Sequence, residues 1–456
     1  MSTENGPKSP DRPGKSERPH RRVAIKVAFL LATVVAAGLV AWVAYQVHCF
    51  HREQQARAAL EADSGVDAIV GGPTAEEAPY LSLSELRHGR LYVPIVHVSI
   101  GRLLRTLVLN REAWDHLRLF RYLERLEVSG CTPGPNLKVD FSGFLHLRSA
   151  AIVETPFSAQ DIRTLAQLPE LQDAIFKRKQ CIDEWLPGIG QLRHLRMLEI
   201  QGDVSDRGMD SLAGLEALES LSVESDRITS NVVPALAKLK NLQALTLSHT
   251  RIDDEGLRQL AALKGLTGLH LAGSDGISDQ GVAFLTSLES LETLNLASAR
   301  ITSQSVPTLT RLKKLKYLVL ANTQIDDEGL RRLADLKRLE SLDLQGTRIA
   351  DVGEDVRFPS LGFLDLGDTS LTDVGLRHVS YLPQLRCIRI SGTRVTDASI
   401  EPLAAMPSLM EVYAYGCKID EESAEWLRLM RMLESRRASE EAVVLQRHAG
   451  NEPQEQ

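Results

Sequence analysis

A short leucine pattern recurs along most of this chain and constrains its fold more than any other feature. Leu-x-x-Leu-x-Leu is clearest where the triplet starts at residues 242, 266, 291, 315, 339 and 361. With degenerate copies included, fourteen copies start between residues 104 and 409, and nine of the thirteen intervals are 24 residues. A fixed period of this length indicates a repeat architecture. The sequence therefore predicts one elongated solenoid, not the three globular domains that 456 residues would suggest at about 150 residues each.

Each repeat contains a strand, a turn and a helix. The Leu-x-Leu alternation has the period of a strand, whereas Leu257, Leu260 and Leu263 have helical spacing. No repeat can bury its leucine face alone, so neighbouring repeats must stack. The residues thus predict an α/β solenoid.

The turn that precedes each helix is also regular. The segments 250–257 and 323–330 both read Thr-x-Ile-Asp-Asp-Glu-Gly-Leu, and the Asp two residues after Ile is expected to cap the helix. The glycine of this turn is expected to permit close approach between repeats. It is found at Gly256, Gly281, Gly329 and Gly375.

This sequence pattern resembles the leucine-rich repeat family, in its Ile-Thr-Asp-x-Gly-Leu version, over about residues 90–433. That version is related to the cysteine-containing repeats of F-box proteins. Thr replaces the usual Asn or Cys at five positions, while Cys131 and Cys417 retain the cysteine and are predicted to be buried thiols. The resemblance implies a horseshoe with a parallel sheet on the concave face and helices on the convex face.

An uncharged run of 21 residues, from Val27 to Val47, is long enough to span a hydrocarbon core as a helix. The first 22 residues carry six Lys or Arg, and residues 48–67 carry two. This asymmetry places the amino terminus in the cytoplasm and the repeats outside it, in the periplasm or at the cell surface. The alternative is a signal peptide cleaved after Val35-Ala36-Ala37, but the apolar run continues for ten more residues.

The segments that flank the repeats complete the predicted layout, which resembles that of bacterial membrane-anchored repeat proteins. Residues 92–98 read as an irregular first strand within an amino-terminal cap. Trp426, Leu427, Met430 and Leu433 have the spacing of one apolar stripe on a closing helix, after which the chain is expected to fray. The predicted divisions are a disordered cytoplasmic tail (1–22), a transmembrane helix (23–47), a juxtamembrane segment and cap (48–100), about 14 repeats (101–433) and a polar tail (434–456).

Residues between the strand leucines point to the concave face, where equivalent positions of adjacent strands form rows. Reading these rows from Val108 onward brings aromatic and acidic residues together on the last five repeats. Such a cluster is expected either to bind a partner, since exposed rings often anchor interfaces, or to be a solvated surface. The candidate partner-binding residues are Tyr317, Asp343, Phe363, Asp365, Asp368, Arg389, Tyr413 and Tyr415.

Catalytic, metal and nucleic-acid signatures are missing from the sequence. Neither His-Glu-x-x-His nor Gly-x-Ser-x-Gly occurs, and no phosphate loop is complete. His249 and His270 lie on adjacent repeats but lack an obvious third ligand, and no cofactor is expected. The five cysteines lack Cys-x-x-Cys spacing, and Cys49 directly follows the apolar run. A net charge of −7 makes nucleic acid an unsuitable partner.

These observations predict a non-enzymatic, membrane-anchored scaffold that binds a protein or envelope ligand on its concave face. The alternative is an F-box-like substrate-recognition subunit of a ubiquitin ligase. No F-box-like helical segment precedes the repeats, and that role requires cytoplasmic repeats. The topology of the chain therefore distinguishes the two functions.

Overall fold

The computed structural model describes residues 68–71, 97–100, 107–109, 114–115, 117–118, 123–134 and 137–449. The predicted tail (1–22), the apolar run (27–47) and Cys49 lie outside the described residues. Among the helices that are described, none has both the length and the apolar character needed to cross a membrane.

The described strands are short, and fifteen of them form one open sheet whose order follows the chain. From β2 onward every neighbouring pair in this sheet is parallel, whereas β1 is antiparallel to β2. The strands are β1 (Ala68–Gly71), β2 (His97–Ile100), β3 (Leu107–Leu109), β4 (Arg125–Ser129), β5 (Cys131–Pro133), β6 (Ser149–Val153), β7 (Asp173–Cys181), β8 (Met197–Asp203), β9 (Ser220–Glu224), β10 (Ala244–Ser248), β11 (Gly268–His270), β12 (Thr293–Asn295), β13 (Tyr317–Val319), β14 (Ser341–Asp343), β15 (Phe363–Asp365), β16 (Cys387–Arg389) and β17 (Glu411–Tyr413).

Helical segments alternate with these strands and form the second layer. The α-helices are α1 (Ala159–Arg163), α2 (Leu186–Ile189), α3 (Asp206–Met209), α4 (Val233–Leu236), α5 (Asp254–Leu260), α6 (Asp279–Val282), α7 (Val306–Leu309), α8 (Asp327–Leu333), α9 (Asp373–Val379), α10 (Ile400–Ala405) and α11 (Ala424–Ala449). The 3₁₀ helices are Phe141–Gly143, Thr164–Gln167, Asp210–Gly214, Ser230–Val232, Ala283–Ser287, Ser303–Ser305 and Asp397–Ser399. The predicted α/β solenoid is confirmed in its architecture.

The core lies between the sheet and the helices and consists mainly of aliphatic side chains. Leu245 and Leu247 of β10 are fully buried, while Thr246 between them points to the opposite face and is half-buried. Burying a leucine side chain contributes about 1.5–3 kcal/mol, and each repeat presents such residues to both neighbours. Stacking therefore stabilises a unit that could not fold alone.

The repeats contact one another through aspartates at the start of the helices, which corrects the predicted capping role. The residue immediately after Ile, such as Asp253, caps the helix by accepting from the Gly256 N–H at 3.0 Å. The next residue, Asp254, is already helical, and its carboxylate accepts from the Ser278 N–H at 2.8 Å and the Ser278 hydroxyl at 2.6 Å. The Asp two residues after Ile thus joins its repeat to the following one.

The turn glycines permit the predicted close approach. A Cβ atom at Gly281 would overlap the Asp254 carboxylate, and one at Gly375 would lie 2.6 Å from the Ala350 carbonyl oxygen. A side chain at either position would force the neighbouring repeat to move away.

The solenoid begins differently from the prediction. The strand β3, which contains Val108, pairs with β5 in a separate two-stranded sheet, while β2 occupies the place beside β4 with Ser99 opposite Glu127. The interval of 19 residues between the first two copies is five short of a full repeat, so β3 cannot occupy a regular place. Val108 therefore does not belong to the concave row.

Two further differences concern the end of the chain and one irregular repeat. Trp426 and Leu433 of α11 are buried as predicted and Met430 is half-buried, but Leu427 is 45% exposed and Leu429 takes its place in the stripe. The helix also continues to Ala449, well past the predicted boundary at 433. In the 22-residue repeat that starts at residue 339, turns replace the helix between β14 and β15.

Candidate binding surface on the concave face

Over the last five strands, two rows of side chains cross the face of the sheet that points away from the helices. The resemblance predicts this face to be concave, and it is called the concave face below. The first row runs from Tyr317 through Ser341, Phe363 and Cys387 to Glu411. The second runs from Val319 through Asp343, Asp365 and Arg389 to Tyr413. Register therefore brings six of the eight predicted residues onto adjacent strands of one surface. Their binding role stays a prediction, and we refer to the eight residues together as the concave patch.

Arg389 is the centre of this patch. Its guanidinium carbon lies 5.1 Å from the centroid of the Phe363 ring and 5.3 Å from that of the Tyr413 ring. Its Nη1 atom is 3.7 Å from Asp365 Oδ2. Arg389 thus lies between two aromatic rings and beside a carboxylate, an arrangement that holds its planar group in place.

Asp365 is the most buried acid of the patch, with 5% of its surface exposed. Burial raises the pKa of its carboxyl above the usual range, and the neighbouring carboxylate of Asp343 raises it further. Asp365 Oδ1 accepts from the Gly367 N–H at 2.9 Å, and Asp343 Oδ1 accepts from the Gln345 N–H at the same distance. These turns orient both acids in the same way on neighbouring repeats.

Asp368 and Tyr415 lie beyond the strand ends, at the margin of the patch. Asp368 has a φ of 53°, and its Oδ2 atom accepts from Gln345 Nε2 at 2.8 Å. Tyr415 is 69% exposed, the largest exposure among the large hydrophobic side chains of the described residues. The structure therefore places these two residues beside the central rows instead of within them.

A shallow pocket of about 650 Å³ lies beside the patch, and three of its residues were missed from the sequence. Tyr317 and Phe363 line it, together with Glu340, Gly362 and Arg386. Glu340, Gly362 and Arg386 occupy the position just before a strand, which the reading of concave rows omitted. A glycine in a row of long side chains was the signal that could have indicated this pocket.

The histidines and cysteines singled out in the sequence lie in different parts of the structure. Within the described ranges no group of three or more His, Cys, Asp or Glu side chains could hold a metal ion. His270 pairs with Thr246, and His249 lies in the turn that follows, so the two histidines are not opposite each other. Cys131 is buried as predicted, and burial raises the pKa of its thiol to about 11. Cys417 is only half-buried, and its thiol donates a hydrogen bond to the Ile390 carbonyl oxygen at 3.0 Å.

The family of the repeat is shown by comparison with known proteins. A family model described as a leucine-rich repeat region matches residues 104–426. An internalin from Listeria monocytogenes is similar in structure, with a TM-score of 0.52 and 20% sequence identity over 79% of this chain and 93% of that one. A leucine-rich repeat protein of Leptospira interrogans has a TM-score of 0.47 and 19% identity, over 78% and 97% of the two chains. No curated protein matches the chain.

Proposed function

This chain belongs to the leucine-rich repeat family, and from that premise we propose that it is a protein-binding scaffold whose concave patch contacts the partner. Solenoids of this kind use their extended concave surface for binding. The observation that carries the proposal is the cluster of Tyr317, Phe363, Arg389 and Tyr413, which lie on β13, β15, β16 and β17 of five successive strands. Tyr and Arg are the residue types most enriched among energetic anchors of interfaces.

The patch has the composition of an interface core with a polar margin. Two rings and the guanidinium of Arg389 are already fixed against one another, so little side-chain freedom remains to be lost on binding. Asp343, Asp368 and Tyr415 lie around them and could pair with polar groups of the partner. This preorganisation favours a protein ligand over a solvated surface.

Partner recovery with matched variants tests the proposal. The bait is the full-length chain, and the patch variant carries Tyr317→Ala, Phe363→Ala and Tyr413→Ala. Tyr381→Ala is the control, because Tyr381 follows α9 on the helix side and is 47% exposed, close to the 45% of Tyr317. We expect a partner that the wild type and the control recover equally and the patch variant loses. Equal recovery by all three baits would refute the patch.

We further propose that residues 27–47 anchor the chain in a membrane and that the repeats lie outside the cytoplasm. The uncharged run and the excess of Lys and Arg before it support this topology. If the repeats are exposed at the cell surface, protease added to intact cells should remove them. If they are periplasmic, protease should remove them only after the outer membrane has been opened. Protection until the inner membrane is disrupted would instead place the repeats in the cytoplasm.

A further inference from the structure

The row of residues just before each strand is rich in long charged side chains that pair across repeats. Arg196 Nη2 lies 2.7 Å from Glu219 Oε1, and Lys316 Nζ lies 2.8 Å from Glu292 Oε2. Gly362 interrupts this row between Glu340 and Arg386. Because strands lie about 4.8 Å apart, the interruption leaves roughly 10 Å between the backbones that carry these two charges.

Neither backbone conformation nor packing requires glycine at position 362. A Cβ atom there would lie 3.8 Å from the Glu340 carbonyl oxygen and 4.0 Å from that of Gln384, both ordinary contacts. Its φ is not in the left-handed region, unlike that of Gly392. Gly281, in contrast, is packed against the Asp254 carboxylate. The missing side chain at Gly362 therefore opens the pocket without serving the fold.

The neighbouring part of the same sheet shows how an arginine packs against rings and a carboxylate. Arg389, on β16, lies between Phe363 on β15 and Tyr413 on β17, with the Asp365 carboxylate 3.7 Å away. Tyr317 on β13 and Phe363 on β15 are also two strands apart, although they share one row whereas Phe363 and Tyr413 lie in different rows. The residue between them is Ser341, which is too short to fill the space.

Glu340 supplies the carboxylate of this second arrangement. Its Oε2 atom accepts from the Tyr317 hydroxyl at 3.3 Å, and both residues line the pocket. Lys316, the adjacent cation of the row, is hydrogen-bonded to Glu292 on its other side. Two rings and a carboxylate thus line one pocket, and these are the groups that contact the Arg389 guanidinium elsewhere on the same sheet.

We propose that this pocket binds an arginine side chain of the protein partner, an inference that rests on the proposed function. The guanidinium lies against the rings of Tyr317 and Phe363 and pairs with the Glu340 carboxylate. Arginine fits better than lysine because a planar guanidinium both stacks on rings and forms a fork with a carboxylate.

Binding of small probes to the full-length chain tests this site by saturation-transfer NMR. The probes are N-acetyl-arginine amide, the lysine analogue and the uncharged isostere N-acetyl-citrulline amide. We expect the arginine probe to bind at least tenfold more tightly than citrulline and more tightly than lysine. Glu340→Gln should remove this preference, and Gly362→Gln should block the pocket. Glu219→Gln, at the same row position but far from the pocket, should change nothing.

The outcomes separate this inference from the proposed function. Equal affinity for arginine and citrulline probes, or an arginine preference that survives Glu340→Gln, overturns the arginine site. If a partner is recovered through the concave patch in that case, the proposed function stands alone. If the arginine preference holds while no partner depends on the patch, the pocket is real and the larger interface is refuted. Unchanged thermal unfolding of Glu340→Gln and Gly362→Gln confirms that both variants fold.

Discussion

Replacing Asp254 by Ala tests whether the aspartates at the helix starts join the repeats. The carboxylate accepts two hydrogen bonds from Ser278 of the next repeat, at 2.8 Å from its N–H and 2.6 Å from its hydroxyl. Hydrogen bonds to a charged acceptor contribute about 1.5–3 kcal/mol each when buried, and these are only partly buried. We therefore expect Asp254→Ala to lower the free energy of unfolding by about 2–3 kcal/mol, and Asp254→Asn, which keeps one acceptor, by about 1 kcal/mol.

Urea unfolding followed by circular dichroism measures this change. Asp226→Ala is the matched control, because Asp226 is exposed in the same region of the solenoid and should be replaceable within about 0.5 kcal/mol. A double-mutant cycle with Ser278→Ala should give a coupling energy of about 1 kcal/mol for the hydroxyl bond. If Asp254→Ala is no more destabilising than Asp226→Ala, the aspartates do not join the repeats and our reasoning is refuted.

Three further predictions follow from the turns, the core and the acids. Ser298 has a φ of 63°, so Ser298→Gly should raise the unfolding midpoint by an amount equivalent to about 0.5–1 kcal/mol, and a lower midpoint would contradict this. Burial raises the thiol pKa of Cys131 to about 11, so iodoacetamide at pH 8 should label it far more slowly in the folded chain than in urea. Hydrogen bonds from Ser230 and Ser303 lower the pKa values of Asp253 and Asp326, respectively. Burial alone would raise the pKa of Asp373, but hydrogen bonds from Ser399 and Thr396 lower it by more. Because these folded-state pKa values lie below the ordinary 3.8, the three carboxylates stabilise the folded state fully above that pH, and this stabilisation is lost as the pH falls below it. Measuring the free energy of unfolding at a series of acidic pH values tests this prediction.

The fold followed from the sequence because the repeat specifies it many times over. Leu245 and Leu247 have equivalents in almost every strand, so a single misread residue could not change the architecture. The start of the solenoid was harder to predict, because the sequence of the triplet at 104–109 matches the repeat while the interval to the next triplet is too short. Only strand pairing shows that β2, not β3, continues the sheet.

The role of the turn aspartates depended on three-dimensional neighbours. Asp253 and Asp254 are adjacent in sequence, and either could cap a helix on composition alone. The backbone decides, because Asp253 is extended, with a φ of −120°, whereas Asp254 is the first helical residue. A carboxylate in that second position points to the following repeat. The pattern of one repeat does not show such a contact between two repeats.

The candidate surface was predictable in part. Alternation along the strands placed Tyr317, Phe363 and Tyr413 on the concave face, and register then aligned them. The pocket was not predictable from strand alternation, because it arises from an absent side chain at Gly362, which lies just before β15 and outside the alternating rows. The sequence predicts Asp368 to belong to the patch, yet Asp368 has a positive φ and lies in the turn, where its carboxylate accepts from the Gln345 side chain.

The central claim is that the partner lies on the concave patch, and site-specific photo-crosslinking tests it most directly. The photoreactive residue p-benzoylphenylalanine replaces Tyr413 in one full-length chain and Tyr381 in another, and both are irradiated in intact cells. We expect one discrete covalent adduct from position 413, lost when Tyr317 and Phe363 are also changed to Ala, and no such adduct from position 381. An adduct formed from position 381 and not from position 413 would place the partner on the helix side and refute binding at the concave patch.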